Sequence, residues 1–326
     1  MKLVTGRRTV IAGAAASLAA PALVRAQGAY PNRPVRYINP FPPGGATDTL
    51  SRILCAKLTE ISGQQFIVEN RAGSAGNIGN DVIAKSEPDG YTIGLGGIAT
   101  HAIAPTLYVR LPFDPRKDFT FVSNMWSLPN MLTVNNDLPV KSVPELIAHA
   151  KKNPGKLSYG SAGAGTTLHL SGELFKLLAD VDILHVPYRG GAPAMQDLLA
   201  GQIHMIFDNI PGALAVVRPG KARGLAVTSA TRSKTVPDVP TIAETLPGFD
   251  ISSWTCLVGP ANLPAPVLAR LSDLMKTALT SPDLVAKYQE QSATAWWTSP
   301  AETLAHRDKE QERLAPIIRK SGARVE

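Results

Sequence analysis

Short apolar segments alternate with amphipathic helical segments along this chain, in two series that a proline-rich stretch separates. The first series covers residues 35–107 and the second covers residues 143–228. Strands that alternate with helices in this way form a mainly parallel sheet flanked by helices. Because two such series in about 300 residues exceed one comfortable core, the pattern predicts an α/β protein with two lobes.

The C-terminal part of the chain predicts a strand at 249–258 and helices at 266–280, 282–291 and 300–321. In the first of these helices Val267, Leu271, Leu274 and Ala278 form an apolar stripe that a sheet must cover. The second series already has helices of its own, so we expect this tail to return to the first. The predicted lobes are residues 27–127 with 248–326, and residues 128–247.

The N-terminal 26 residues indicate an export signal. Lys2, Arg7 and Arg8 precede an apolar run at 10–20, and cleavage is expected after Ala26. The paired arginines resemble a twin-arginine signal but lack the usual following lysine, so the general export route stays open. No cysteine lies at the cleavage site, and no other apolar run reaches the ~18 residues of a membrane span. We expect a soluble periplasmic protein without a lipid anchor.

Charge and cysteine content narrow the classes of partner. The signal contains four basic and no acidic residues, so the formal net charge of +7 falls to +3 in the mature chain. With basic residues scattered and few aromatics, we expect no nucleic-acid partner. Cys55 and Cys256 could form a disulfide in an exported chain, or Cys55 could be a small apolar residue on the buried face of a helix. No spacing predicts a metal site, and we expect no cofactor.

Two turns of similar chemistry are the candidate binding elements. Residues 41–48 (Phe-Pro-Pro-Gly-Gly-Ala-Thr-Asp) lie between a predicted strand and helix, with Asp48 suited to be the helix N-cap. Glycines let backbone N–H groups approach a ligand, and the start of a helix attracts anions. Residues 160–167 repeat these features in the second series. Two such turns predict an interlobe cleft that binds a small anion from both sides.

Seven sequence blocks occur in order along the chain. They are PFPPGGATDTLSR, VENRAGSAGNIG, DGYTIGLGG, LPFDPRKDF, YGSAGAGTTLHLSGELF, HVPYRGGAPAMQDLLAGQI, and FDNIPGAL with GKARGLAVTS. With these blocks the chain resembles the substrate-binding proteins of the tripartite tricarboxylate transporter family, the Bug receptors. The resemblance covers essentially the whole chain.

The resemblance implies a two-lobed periplasmic binding protein fold, type II-like, in a monomer that closes on a small organic acid such as a dicarboxylate or aromatic acid. It also implies delivery of that acid to integral-membrane permease subunits. Backbone N–H groups, hydroxyls and ordered water, without an obligatory arginine, would bind the carboxylate. The positions implied for this role are Gly44, Gly45, Ala46, Thr47 and Asp48 on one side, and Ser161, Gly163, Gly165, Thr166 and Thr167 on the other.

Further candidates follow from position or from the family. Asp208 lies where family members that take amino acids bind the ligand's ammonium group, which does not by itself establish an amino-acid ligand. Thr100, His101, His169, and Arg189 with Gly190 lie near turns, and Phe41 and Trp254 would supply an apolar wall. Each has a structural alternative: a buried or surface histidine, an exposed turn arginine, or an aspartate that bonds its own backbone.

Two other classes of function are alternatives to a transport receptor: an enzyme and a signalling receptor. The segment 94–99 (Gly-Leu-Gly-Gly-Ile-Ala) resembles a dinucleotide-binding turn, but the acidic residue expected about 20 positions later is missing. Ser161, His169 and Asp208 could form a hydrolase triad, although Tyr159 replaces the first glycine of a nucleophile elbow. A receptor that presents its closed form to a sensor protein would use the same switch as a transport receptor.

Overall fold

The computed structural model describes residues 30–326, so the predicted signal at 1–26 lies outside the described part. Its strands are β1 (Val35–Asn39), β2 (Phe66–Asn70), β3 (Thr92–Gly97), β4 (Phe119–Val134), β5 (Ser158–Ser161), β6 (Leu184–Pro187), β7 (Met205–Asn209), β8 (Arg223–Val227), β9 (Ser252–Pro260) and β10 (Thr294–Ala295). They form one sheet in the order β2-β1-β3-β9-β4-β7-β5-β6, with β8 and β10 paired to β4.

Helices cover this sheet. They are α1 (Ala46–Ser62), α2 (Asn77–Ala84), α3 (Ala104–Leu107), α4 (Val143–Lys152), α5 (Thr167–Ala179), α6 (Gly191–Leu199), α7 (Ile210–Val217), α8 (Ala265–Leu279), α9 (Pro282–Glu290) and α10 (Pro300–Ser321). A π-helical turn, Ile98–Ile103, leads into α3. Within residues 30–326 no helix combines the length and apolar character needed to cross a bilayer.

The long strand β4 joins the two halves of the sheet. Its residues up to Pro129 pair with β9, and from Asn130 onward they pair with β7 and β8. These central pairings are antiparallel, whereas β1 with β2 and β3, and β5 with β6 and β7, are parallel. The sheet is therefore more mixed than the mainly parallel one we expected. Most of β4 is buried, so it lacks the alternation that reveals a half-exposed strand.

Helix α1 shows how one apolar stripe fixes an element next to the cleft. Leu50, Leu54 and Leu58 are fully buried on one face, and α1 ends at Gly63 in the left-handed conformation. The N-cap is Gly45, so the prediction that Asp48 caps this helix is wrong. Asp48 is the third residue of the helix, three positions after the N-cap, and its side chain folds back onto the preceding loop.

The C-terminal tail packs on the first series. Leu271 and Leu274 of α8 share a buried cluster with Leu50 and Leu54 of α1. The start of α10 is fixed by a capping box between Ser299 and Glu302, with Pro300 in the first turn. Both cysteines are buried and free, Cys55 in α1 and Cys256 in β9, so the disulfide alternative is not realised. They serve as small apolar core residues.

Candidate functional site

A cavity of about 510 Å³ lies between the two halves of the molecule. Its wall is built where parallel strands end and helices begin: after β1 and β3 on one side, and after β5, β6 and β7 on the other. Ligands of open α/β sheets bind at such carboxyl ends. The volume is in the range of small-molecule sites.

The first side of the cavity is the loop 41–47 and the start of α1. Gly44 has φ +83°, a left-handed conformation that favours glycine. Gly45 has open space where a side chain would begin, since a Cβ there would be 4.0 Å from the nearest atom, the Pro42 carbonyl oxygen. The N–H groups of Ala46 and Thr47 belong to the first helical turn and have no intrahelical acceptor. This side therefore offers hydrogen-bond donors to an anion.

Asp48 fixes the shape of this loop from beneath. Its carboxylate accepts bonds from the Gly44 N–H at 3.0 Å, from Arg52 at 3.0 Å and from Asn70 Nδ2 at 2.8 Å. Burial alone would raise the pKa of Asp48, but these bonds outweigh it and lower the pKa to about 2. Asp48 does not line the cavity, so its position is that of a support for the loop.

Three helices begin at the second side. Thr166 caps α5 by accepting from the His169 N–H, Gly190 precedes α6, and Asn209 precedes α7. The partial positive charges of these termini, with that of α1, all lie at the cavity wall. Within the described residues no Lys, Arg or His side chain lines it, and Asp208 is the one ionisable side chain that does. The cavity is thus suited to anions through backbone dipoles and not through basic side chains.

A network of uncharged polar groups connects the two sides beneath the cavity. The Thr167 hydroxyl lies 2.7 Å from the Ser253 hydroxyl, and Asn209 donates to Ser253 at 3.1 Å and to Asn130 at 2.6 Å. Ser253 is on β9 and Asn130 is at the point where β4 changes partner. Thr167, Asn209 and Ser253 also line the cavity, so ligand contacts and the strand crossing share side chains.

The cavity wall contains ten of the predicted ligand-binding residues: Phe41, Gly44, Gly45, Ala46, Thr47, Thr100, Thr166, Thr167, Gly190 and Asp208. The seven that lie elsewhere are Asp48, His101, Ser161, Gly163, Gly165, His169 and Arg189. Trp254, the predicted apolar wall, is also present, joined by Trp126. Its indole N–H donates to Glu310 at 3.1 Å, which fixes the ring.

Both histidines that we expected near the ligand are core residues. The π-helical turn directs Thr100 to the cavity and His101 inward, where its ring packs edge-on against Phe119 at 4.7 Å. His101 Nδ1 accepts from the Gly97 N–H, and burial lowers its pKa to about 3. His169 accepts from the Gly165 N–H, and burial lowers its pKa to about 4. Neither supplies a positive charge to the cavity at neutral pH.

The remaining residues of the second turn support the loop. The Ser161 hydroxyl is fully buried, 2.7 Å from His185 Nε2, and accepts from the Gly163 N–H. Gly163 and Gly165 have φ of +119° and +98° and face residues of the first half of the molecule. There the Tyr108 hydroxyl donates to the Ala164 carbonyl at 2.9 Å. Arg189, which we expected to steer an anion, is exposed and outside the cavity.

The geometry does not support either enzyme. Ser161 contacts His185 and not His169, and Asp208 is hydrogen-bonded to neither histidine. The glycines of segment 94–99 let neighbouring strands approach closely. A Cβ at Gly94 would be 2.4 Å from the Ile38 carbonyl oxygen, and one at Gly97 would be 2.5 Å from the Trp254 carbonyl oxygen. Within residues 30–326 no group of three His, Cys, Asp or Glu could hold a metal ion.

Several residues on the second side of the cavity were not among the predicted ligand-binding residues. Gly191 and Ala192 start α6, Gly212 lies in the first turn of α7, and Leu128 belongs to β4. The helix starts could have been found, since they follow strands in the same way as the two turns that we singled out. Leu128 carried no signal, because β4 was not recognised as a strand.

A family profile, a curated relative and two solved structures match this chain across both halves of the molecule. The profile of the tripartite tricarboxylate transporter family receptors, TctC, matches residues 50–323. BugT of Bordetella pertussis is 36% identical over 96% of this chain and 95% of its own length. The structure of Rpa4515 from R. palustris with adipate is 37% identical, with a TM-score of 0.88 over 91% of this chain and 100% of that one. MatC of Rhodopseudomonas palustris with bound malate is 31% identical, with a TM-score of 0.83 over 89% and 100%.

Proposed function

The chain belongs to the tripartite tricarboxylate transporter receptor family, and from this premise we propose that it is a periplasmic receptor for a small dicarboxylate. The family and the two-lobed α/β fold confirm the predicted receptor class in preference to an enzyme. We further propose that the protein is exported through its N-terminal segment, acts as a monomer and delivers its ligand to the family's membrane permease subunits.

The observation that carries this proposal is the convergence of helix N-termini on one cavity without a basic side chain. Each terminus presents N–H groups without an intrahelical acceptor, and such groups bind carboxylates by charge-assisted hydrogen bonds. One carboxylate would bind at the start of α1 and the other among α5, α6 and α7. The ligands of Rpa4515 and MatC, adipate and malate, are both dicarboxylates, which supports this class.

An aromatic acid is a second candidate ligand. Phe41, Trp126 and Trp254 lie on the cavity wall and offer apolar surface between the two polar ends. Such a ring would contact these side chains while its carboxylate binds at a helix terminus. Dicarboxylates and aromatic acids therefore belong in the same screen.

A thermal-shift screen of the protein from Gln27 onward tests the proposal. The acids would be adipate, malate, succinate, benzoate and phthalate, with the diamide of adipate as the uncharged control. A ligand that binds the folded state raises the melting temperature. We expect a rise with at least one acid and none with the diamide. No rise with any carboxylate at millimolar concentration would contradict the proposed function.

A further inference from the structure

We propose that a ligand carboxylate faces Asp208 and shares one proton with it, so that binding takes up a proton from solution. This inference rests on the proposed function and adds the protonation state of the ligand complex. It makes Asp208 a specificity-determining residue that favours a dicarboxylic acid over an amino acid of the same length.

The environment of Asp208 is built to receive a ligand group. The side chain lies at the cavity wall at the end of β7, and only 7% of the residue is exposed. A Cβ at Gly191 would lie 2.7 Å from its Oδ1, and one at Gly212 would lie 2.3 Å from its Oδ2. Two glycines thus leave room for this carboxyl group. The nearby Asn209 backbone N–H favours its ionised form, and no described side chain donates a hydrogen bond to it.

The charge around Asp208 favours an anion over a cation. Gly191 is the first residue of α6, and Gly212 is in the first turn of α7, so both helices place their positive ends beside the carboxyl group. An ammonium group there would face two helix N-termini. A carboxyl group that shares a proton with a carboxylate carries one negative charge in total, which these termini stabilise.

Two unprotonated carboxylates cannot share this place at low cost. Like charges at hydrogen-bond distance in a dry site repel strongly, and such pairs retain one proton. The proton comes from solvent and lies between an Asp208 oxygen and a ligand oxygen. No other bond forms or breaks.

The neighbouring elements supply no competing charge. Phe207 points to the opposite face of the sheet, where it contacts Tyr159 and Phe175, so the ionisable groups of α5 lie on that face. Strand β4 and helix α7 contain no ionisable side chain. On α6 there is one, Asp197, which accepts from the Tyr188 hydroxyl at 2.6 Å. Across the cleft, Asp48 is paired with Arg52.

Burial raises the pKa of Asp208 to about 7 even without a ligand. Below that pH the group is already protonated, so binding takes up little additional proton and affinity varies little. Above it the free receptor is ionised while the complex retains the proton. Affinity should then fall by up to about tenfold per pH unit.

Calorimetry with adipate at pH 6 and pH 8, in two buffers of different ionisation enthalpy, measures the protons taken up. We expect a value near zero at pH 6 and near one at pH 8. Asp208→Asn keeps a hydrogen-bond donor that cannot ionise, so proton uptake at pH 8 should fall to zero and affinity should no longer decrease between pH 6 and pH 8. Asp197→Asn is the matched control on α6 and should keep the wild-type uptake.

Two results would overturn the inference while the proposed function stands. One is tight adipate binding at pH 8 with no proton uptake by the wild type. The other is a preference of tenfold or more for 2-aminoadipate over adipate that Asp208→Asn abolishes, which would assign Asp208 to an ammonium group. Failure of every carboxylate to bind would instead reject the proposed function and this inference with it.

Discussion

At the scale of single residues, the shape of the cavity depends on glycines that have no side chain. Gly45, Gly191 and Gly212 lack the Cβ that would obstruct a ligand or the Asp208 carboxyl group. Asp48 lies outside the cavity and supports the loop by accepting a hydrogen bond from the Gly44 N–H, whereas Asp208 lines the cavity. Substitutions should therefore separate residues that occupy the cavity from those that shape it.

Gly45→Leu would place a side chain directly in the cavity. Its φ of −84° suits any residue and its Cβ meets no close neighbour, so the fold should persist. Replacing a glycine N-cap costs on the order of 1 kcal/mol, or roughly 2–4 °C in Tm. We expect ligand affinity to fall by at least about 30-fold in calorimetry. Ala269→Leu, at an exposed position of α8, is the control, and equal affinity in the two variants would contradict the placement of the ligand.

Asp48→Ala should destabilise the loop without touching the ligand. It removes the acceptor of the Gly44 N–H and one acceptor each of Arg52 and Asn70, which keep bonds to Asn70 Oδ1 and the Phe41 carbonyl, and should cost about 2–3 kcal/mol in urea unfolding. Asp283→Ala removes a carboxylate that is half exposed and pairs with Lys57 at 3.1 Å, and should cost less than about 1 kcal/mol. Equal losses in the two variants would show that Asp48 is an ordinary surface group.

The pH dependence of the same variant tests the bond network. Because the pKa of Asp48 is lowered to about 2, the native carboxylate stabilises the fold above the unfolded value near 4. This contribution is lost as pH falls from about 4 through 2. Unfolding free energy should therefore fall less steeply in Asp48→Ala than in the wild type over this range. Parallel curves would mean that Asp48 is not paired in the native state.

At the scale of elements, the strand-to-helix turns and the strand β9 were predictable, whereas the long central strand β4 was not. Periodicity located α1 and its apolar stripe, because Leu50, Leu54 and Leu58 face one way. The turn at 41–47 followed from glycines between a strand and a helix. Side-chain direction was beyond such rules: His101 points inward because residues 98–103 form a π-helical turn, which no sequence pattern indicated. The long strand β4 was missed because burial of both faces removes alternation.

The second turn lies beside a buried histidine, His169, and a half-buried one, His185, and both make stability depend on pH. His169 and His185 have ring centroids 4.3 Å apart, and burial lowers their pKa values to about 4 and about 3. The unfolded chain binds these protons below pH ~6.5, so their contribution is complete above that value and falls as pH decreases.

His185→Gln should reduce the slope of unfolding free energy against pH between 6 and 5 by up to about 1.4 kcal/mol per unit. Asp208 titrates in a neighbouring pH range, and its contribution to the slope has the opposite sign because its pKa is raised. The test therefore compares the slope of the variant with that of the wild type. Identical slopes would indicate that His185 takes up protons in the folded state.

At the scale of the whole molecule, the chain passes between the halves within β4 and again just before β9, where the Ile251 N–H donates to the Thr228 carbonyl. We propose that β4 and β9 form the hinge and that the lobes are residues 27–127 with 248–326, and 128–247. The change of partner at Asn130 lies near this division. Contacts across the cleft, such as the bond from Tyr108 to Ala164, would stabilise the closed state and so the complex.

Tyr108→Phe removes that interlobe bond while leaving the cavity wall intact. Its loss should weaken ligand binding by about 2- to 10-fold, mainly through faster dissociation. Tyr91→Phe is the control, because the Tyr91 hydroxyl bonds the exposed Asn32 at 2.7 Å, far from the cleft. Stopped-flow dissociation rates would compare the two. An unchanged rate in Tyr108→Phe would argue against closure through this contact.

The central claim is that backbone dipoles at the interlobe cavity bind a carboxylate. Its most direct test is calorimetric titration of the protein from Gln27 onward, at pH 6, with straight-chain dicarboxylates of four to eight carbons and with the diamide of each. We predict that at least one diacid binds and that its diamide binds at least 100-fold more weakly. Equal binding of diacid and diamide, or no binding by any diacid, would contradict the account.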